Sequence, residues 1–200
     1  VGSYYYLVSQ LPHLIYGLPP PIPSAEFREF VKPLMDEDDA ALIDLISLDP
    51  QPVSAEGPSY AENAPASGSE FIDGWRDWER ALRLNLARYR AARLKREGGA
   101  PLDPPAVPAD AAAAAKAVTD AGSPLEGEIL IDKARWSAIE YLQGGSYFGR
   151  NTVFAYLLKL ILLERRMSFD NEKGSAEYES LYASILDSVQ SGVMPMGELR

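Results

Sequence analysis

The 200-residue chain has no cysteine and a single histidine, His13. Lack of cysteine excludes a disulfide framework, a thiolate zinc site, an iron–sulfur cluster and a cysteine nucleophile. One histidine excludes a self-contained two-histidine metal site and leaves one imidazole that could act as a base. It lies between Pro12 and Leu14 with no acid nearby in sequence, so it reads as structural. Long hydrophobic runs are also missing. The longest, Val153 to Leu163, has Lys159 inside it. Spanning a bilayer takes about 20 apolar residues, and a shorter run suits a buried core helix. No charged side chain precedes Glu26. Even so, the positive region that opens a secretory signal is absent, and Pro12 and Pro19 to Pro21 interrupt the apolar residues. The chain is expected to be cytoplasmic, with no direct membrane span. A formal net charge of −10 is the opposite of the basic footprint a nucleic-acid binder needs.

The charge that is present is unevenly placed. Residues 1–74 hold twelve acids against two bases, a net of −10. Residues 75–97 hold eight bases against three acids, a net of +5, and residues 98–200 hold nine bases against fourteen acids, a net of −5. One helix-sized basic segment therefore sits inside an acidic chain. Within it, Arg76, Arg80, Arg83 and Arg90 are spaced four, three and seven apart and share one side of a helix. Such a face is either paired with the chain's own acids, Asp36 to Asp39 being the nearest cluster, or offered to an acidic partner. These four arginines are the candidate partner-binding residues.

Periodicity and capping signals predict a mostly helical chain. Val1 to Leu18 is open between strand and helix: three adjacent tyrosines favour a strand, whereas Tyr4, Val8 and Leu11 fit a helical face. Pro19 to Pro23 is an extended connector. Ser24 is a plausible N-cap for a helix carrying Phe27, Phe30, Val31 and Leu34. Asp36 to Asp39 suit the positive end of a second helix, with Leu42, Ile43, Leu45 and Ile46; a calcium loop would need a glycine and a later glutamate that are absent. Asp49 to Gly68 reads as a linker. Ser69 caps a long helix to about Arg96 whose apolar face is Phe71, Trp75, Trp78, Leu82, Leu86 and Tyr89. Prolines 101, 104, 105 and 108 mark a second linker, followed by an alanine-rich helix between Asp110 and Gly122 whose order depends on its context.

Ser123-Pro124-Leu125-Glu126 combines a capping box with proline at the first helical position. The helix it opens carries Leu125, Ile129, Trp136 and Ile139 and ends at Gly144-Gly145. Asn151 is a candidate cap for the next helix, which is apolar nearly all round and is predicted to be central. A last helix runs from Ser175 to about Val189. The chain thus predicts an all-α bundle of about six to seven helices with a long basic central helix. Its expected divisions are an N-terminal part (1–97), a Pro/Ala-rich linker (98–122) and a C-terminal three-helix module (123–200).

Signatures of chemistry are few. Gly144 to Asn151 superficially looks like a phosphate loop, but Arg150 and Asn151 replace the lysine and hydroxyl, and a helix precedes it where a strand is required. Arg150 could still meet an anion. No nucleophile elbow, zinc-protease helix or dinucleotide glycine pattern occurs. No catalytic, cofactor-binding or metal-binding residue is nominated, and no cofactor is expected.

Two stretches carry a resemblance. Gly2 to Pro12 (Gly-Ser-Tyr-Tyr-Tyr-Leu-Val-Ser-Gln-Leu-Pro), with Pro20-Pro21-Ile22 and Phe27, resembles a bacterial family encoded in gene clusters for V/A-type ATP synthases. Pro124-Leu125-Glu126 with Leu130, Asp132, Arg135 and Trp136 looks like the helix that opens that family's C-terminal module. Leu160 to Arg166 with Phe169-Asp170-Asn171 is loosely similar to the central-stalk socket protein of these machines, which joins the shaft to the membrane rotor ring; the likeness spans residues 124–174. The resemblance implies a non-catalytic subunit or accessory protein that contacts other subunits of the ATP synthase and is peripheral to the inner membrane through it. A transient assembly factor or regulator of the same machine is the alternative, and an enzyme with an acidic site the third reading.

Overall fold

The computed structural model describes residues 3–49, 65–94, 103–107 and 110–168. Among these the regular structure is entirely helical: α1 (Tyr5–Ser9), α2 (Ser24–Val31), α3 (Glu37–Ile43), α4 (Glu70–Arg93), α5 (Ala111–Asp120), α6 (Pro124–Gln143) and α7 (Arg150–Met167). A 3-10 turn, Lys32–Leu34, joins α2 to α3. The all-α expectation holds, and the tyrosine-rich start is a short helix. The chain divides into two units, Val1–Glu164 and Arg165–Arg200. Of the second, only residues 165–168 are described, so the helix expected from Ser175 lies outside the described residues. So do most of the linker after Asp49 and parts of the one around residue 100.

Helix α7 is the hub. Its sequence is apolar on nearly every side, and Val153, Phe154, Leu157, Leu158, Leu160 and Leu162 are buried. Phe154 meets Phe71 of α4 at 6.2 Å between ring centroids, and Tyr156 meets Phe27 of α2 at 5.0 Å. A helix apolar all round has no solvent face to keep and must be enclosed by others. Its start lies at Arg150, so Asn151, expected as the cap, falls inside the first turn.

Helix α4 follows the sequence closely. Ser69 Oγ accepts from the Ile72 amide at 3.5 Å, Glu70 and Asp73 sit at the positive end, and Arg90 and Arg93 sit at the negative end. Phe71, Trp75, Trp78, Leu82 and Leu86 are buried as predicted. Trp75 and Trp78 stack at 5.5 Å, and the Trp75 indole N–H donates to the Ser47 carbonyl at 2.9 Å.

Three local expectations are corrected. Ser24 does not cap α2; the helix begins at Ser24, and its amide and hydroxyl both donate to the Glu164 carboxylate at 2.5 Å. A carboxylate from α7 thus fills the place of a local cap at the positive end of α2. Of the apolar residues expected on α6, Ile139 is buried, Trp136 packs half-buried on the core, Ile129 is half-buried and Leu125 is exposed; the buried residues are Gly127, Ile131, Asp132, Arg135, Ala138 and Ile139. The helix is rotated so that its two central charged residues face inward. Of the apolar faces expected on α2 and α3, Phe27, Val31, Ile43 and Ile46 are buried as expected, whereas Phe30, Leu34 and Leu45 are exposed.

The alanine-rich helix is held by its context. Asp110 Oδ1 accepts from the Ala113 amide at 2.8 Å, Ala111 and Ala115 are buried, and α5 packs on α4 and α6. Small side chains let it approach both neighbours. Ser123 caps α6 as expected, accepting from the Glu126 amide at 3.1 Å. The Glu126 carboxylate reaches back to the Gly122 amide at 3.0 Å, one residue before the usual partner in a capping box. The helix ends at Gly144, whose φ of 68° is a conformation that favours glycine.

Candidate functional site

The basic helix α4 carries the four candidate arginines, and they have different surroundings. Arg83 reaches Asp49 at 2.9 Å and Glu79 at 3.3 Å, so its charge is neutralised within the chain. Arg76 donates to the Pro65 carbonyl at 3.3 Å and lies 3.7 Å from Asp73. Its Nε and the Trp78 Nε1 are buried without a hydrogen-bond partner among the described residues. Arg80 is half-buried and engaged. Arg90 is exposed, one turn from the helix end. Among the described residues, the acids that Arg76 and Arg83 pair with are Asp73, Glu79 and Asp49.

Beneath this face lies an ionic network that the stripe of arginines does not announce. Glu79 is fully buried. It accepts from Arg135 Nε at 2.5 Å and Arg135 Nη2 at 3.2 Å, and from Arg83 Nε at 3.3 Å. Buried Asp132 sits 3.5 Å from Arg135 Nη1. With Asp49 on Arg83, three carboxylates meet two guanidiniums, and each buried charge has an opposite partner, which is the condition for keeping it away from water. Burial works against the Arg135 charge, but Glu79 and then Asp132 more than offset it, and the guanidinium is held above its ordinary pKa.

A second network joins the N-terminus to the rest. The Tyr4 hydroxyl donates to Asp39 Oδ2 at 2.6 Å, and Arg150 Nη1 donates to Asp39 Oδ1 at 2.9 Å. The Tyr4 amide donates to the Phe148 carbonyl at 2.7 Å, and Tyr5 stacks on Phe148 at 4.3 Å. Burial and the bond to Asp39 push the Tyr4 hydroxyl well above its ordinary pKa. Arg150 therefore does meet an anion, but it is the protein's own Asp39. Nearby, Arg28 donates to the carbonyls of Ile43 and Ile46 and ties α2 to the end of α3; its burial lowers its pKa.

Grooves open on this framework among the described residues. One, of about 280 Å³, is lined by Val8, Leu11, His13, Glu140, Tyr156 and Lys159 among others. Its polar groups bond to one another: Lys159 Nζ meets Glu140 at 3.1 Å and lies 4.7 Å over the Trp136 ring, and the Tyr156 hydroxyl donates to the Pro12 carbonyl at 2.9 Å. Burial pushes the Tyr156 hydroxyl up to about 12. His13 lines this groove with no carboxylate bonded to it among the described residues. Another groove, of about 410 Å³, lies where the end of α4 meets α5 and the start of α6, and Arg90 and Arg93 stand on it.

Among the described residues, no group of three or more acidic or histidine side chains is placed to hold a metal ion, and no helix is long and apolar enough to cross a membrane. Of the four candidates, the structure brings Arg76 and Arg83 onto the protein's own groups and leaves Arg90 at the surface. Glu79, Arg135 and Asp39 were missed. The signal for the first two was present: each is a charged residue in line with buried apolar neighbours on its own helix. The chain matches no family model, no curated protein and no solved structure.

Proposed function

We propose that the chain is a non-catalytic subunit or accessory protein of a V/A-type ATP synthase. It acts as a helical docking body that resembles a reduced form of the central-stalk socket protein and associates with the membrane only through the ATP synthase. The observation that carries this reading is where the residues of the resemblance fall. Tyr4 ties the N-terminus to Asp39, Ser123 and Glu126 cap α6, Asp132 and Arg135 belong to the buried network with Glu79, and Trp136 holds Lys159. Tyr4, Glu126, Asp132, Arg135 and Trp136 of the likeness are thus framework residues, which supports a shared architecture, whereas Tyr5, Tyr6 and Leu125 lie exposed. Consistent with a docking role, the basic helix carries its surplus charge at an exposed end. Affinity purification of the tagged full-length chain from native membranes tests the proposal. Co-elution with the other ATP synthase proteins after gentle solubilisation is the expected result. A fully coupled ATP synthase that contains none of this chain, with none recovered on the tag, overturns it.

A further inference from the structure

We propose that the groove between the C-terminal end of α4, α5 and the start of α6 is the docking site for an acidic peptide segment of a partner protein. Such a segment would present an apolar side chain flanked by carboxylates. This deepens the docking role proposed above and rests on it. The groove has an apolar floor of half-buried Val118 and buried Ile131, with exposed Pro124 at its edge and buried Gly127 close to Val118, where a Cβ would meet Val118 Cγ1 at 3.5 Å. Its volume of about 410 Å³ suits a few side chains and not a folded surface. Arg90 and Arg93 form the rim. Arg93 is anchored by donating to the Thr119 carbonyl at 2.7 Å, while Arg90 meets no carboxylate among the described residues. The lining has one acid, Glu128, which is itself engaged.

The site is an apolar floor under two guanidiniums, one anchored and one exposed. An apolar anchor fills the floor, and flanking carboxylates complement the rim, the division of labour found where a buried core is ringed by polar contacts. The groove favours a short peptide over a polyanion: two arginines beside Glu128 offer few contacts to phosphates, whereas a nucleic acid or an anionic membrane is recognised by an extended basic surface.

The test is fluorescence anisotropy of the full chain with a fluorescein-labelled peptide of roughly ten residues, one leucine flanked by glutamates. The same peptide with glutamine for glutamate, and vesicles of phosphatidylserine and phosphatidylcholine, serve as competing ligands. Saturable binding to the glutamate peptide is expected, with Arg90→Glu/Arg93→Glu weakening it by about tenfold or more. The charge-matched control Arg88→Glu/Lys116→Glu, at exposed positions off the groove, is expected to weaken it by less than about threefold. Arg90→Gln alone, which breaks no described contact, keeps the test valid if the double variant unfolds; it is expected to weaken binding by about threefold or more. The proposal is overturned by absent saturation, by equal loss in the control, by equal binding of the glutamine peptide, or by arginine-dependent vesicle binding without peptide binding. These outcomes leave the wider reading standing if the chain still co-purifies with the ATP synthase. Conversely, peptide binding without co-purification overturns the ATP synthase role alone.

Discussion

Replacing Glu79 by leucine removes the carboxylate at the centre of the α4–α6 network and leaves the Arg135 guanidinium buried. In the wild-type chain that guanidinium donates through two nitrogens to Glu79, at 2.5 and 3.2 Å, while its third contact, Asp132 at 3.5 Å, is long. Breaking a buried pair on one side costs about 3–5 kcal/mol, because the remaining charge loses its compensation. Arg83 suffers less, since it keeps Asp49 at 2.9 Å. Domains of this size have a stability of roughly 5–15 kcal/mol, and with a urea slope of about 2 kcal/mol per molar the midpoint should fall by about 2 M. Urea denaturation followed by far-UV circular dichroism measures this. The same logic makes a second demand. Removing all three buried members, as Glu79→Leu/Asp132→Leu/Arg135→Met, deletes the stranded charge and should recover most of the loss, since replacing a buried network by apolar groups is often near neutral. A single variant within about 1 kcal/mol of wild type, or a triple variant less stable than the single one, refutes the idea that charge pairing holds this interface.

Three further outcomes follow from the geometry. Tyr156 has a pKa raised from 10.0 to about 12 by burial, so the folded chain keeps a proton that the unfolded chain releases above pH 10. Its contribution is intact below that pH and is lost as pH rises through the folded value; Tyr156→Phe should make the alkaline fall in urea midpoint shallower, and an unchanged slope counts against it. Leu158→Ala in α7 empties a fully buried position and should cost about 2–5 kcal/mol by thermal or urea unfolding. Ser123→Ala removes the hydroxyl that accepts from the Glu126 amide and should cost about 1 kcal/mol, with no cost if Pro124 and Glu126 alone hold the helix start.

What the sequence made legible depends on how local its cause is. Ser69 capping α4, Ser123 and Pro124 opening α6, Asp110 starting α5 and glycine ending α6 are decided within a few residues, and each is where the sequence puts it. The apolar stripe of α4 is likewise legible, because Phe71, Trp75 and Trp78 leave one choice of buried face. The failures have a different physical origin. On α6, Leu125, Ile129 and Trp136 form a fair stripe by hydrophobicity, but the helix turns to bring Arg135, with Asp132 beside it, to a glutamate 56 residues before Arg135 in the chain. A single fully buried carboxylate outweighs an average over apolar positions, because leaving Glu79 unpaired costs more than exposing one leucine. Ser24 fails in the same way: its partner, Glu164, is 140 residues distant. The useful signal was not apolar periodicity but its violations. Glu79 lies four residues after Trp75 and three before Leu82, and Arg135 lies four residues from both Ile131 and Ile139. Opposite charges on the core faces of two helices must find each other if both helices are to be buried. Arg90 shows the converse. At the last turn of α4 it meets no opposite charge among the described residues, and that, more than its membership of an arginine stripe, is why the proposed docking site rests on it.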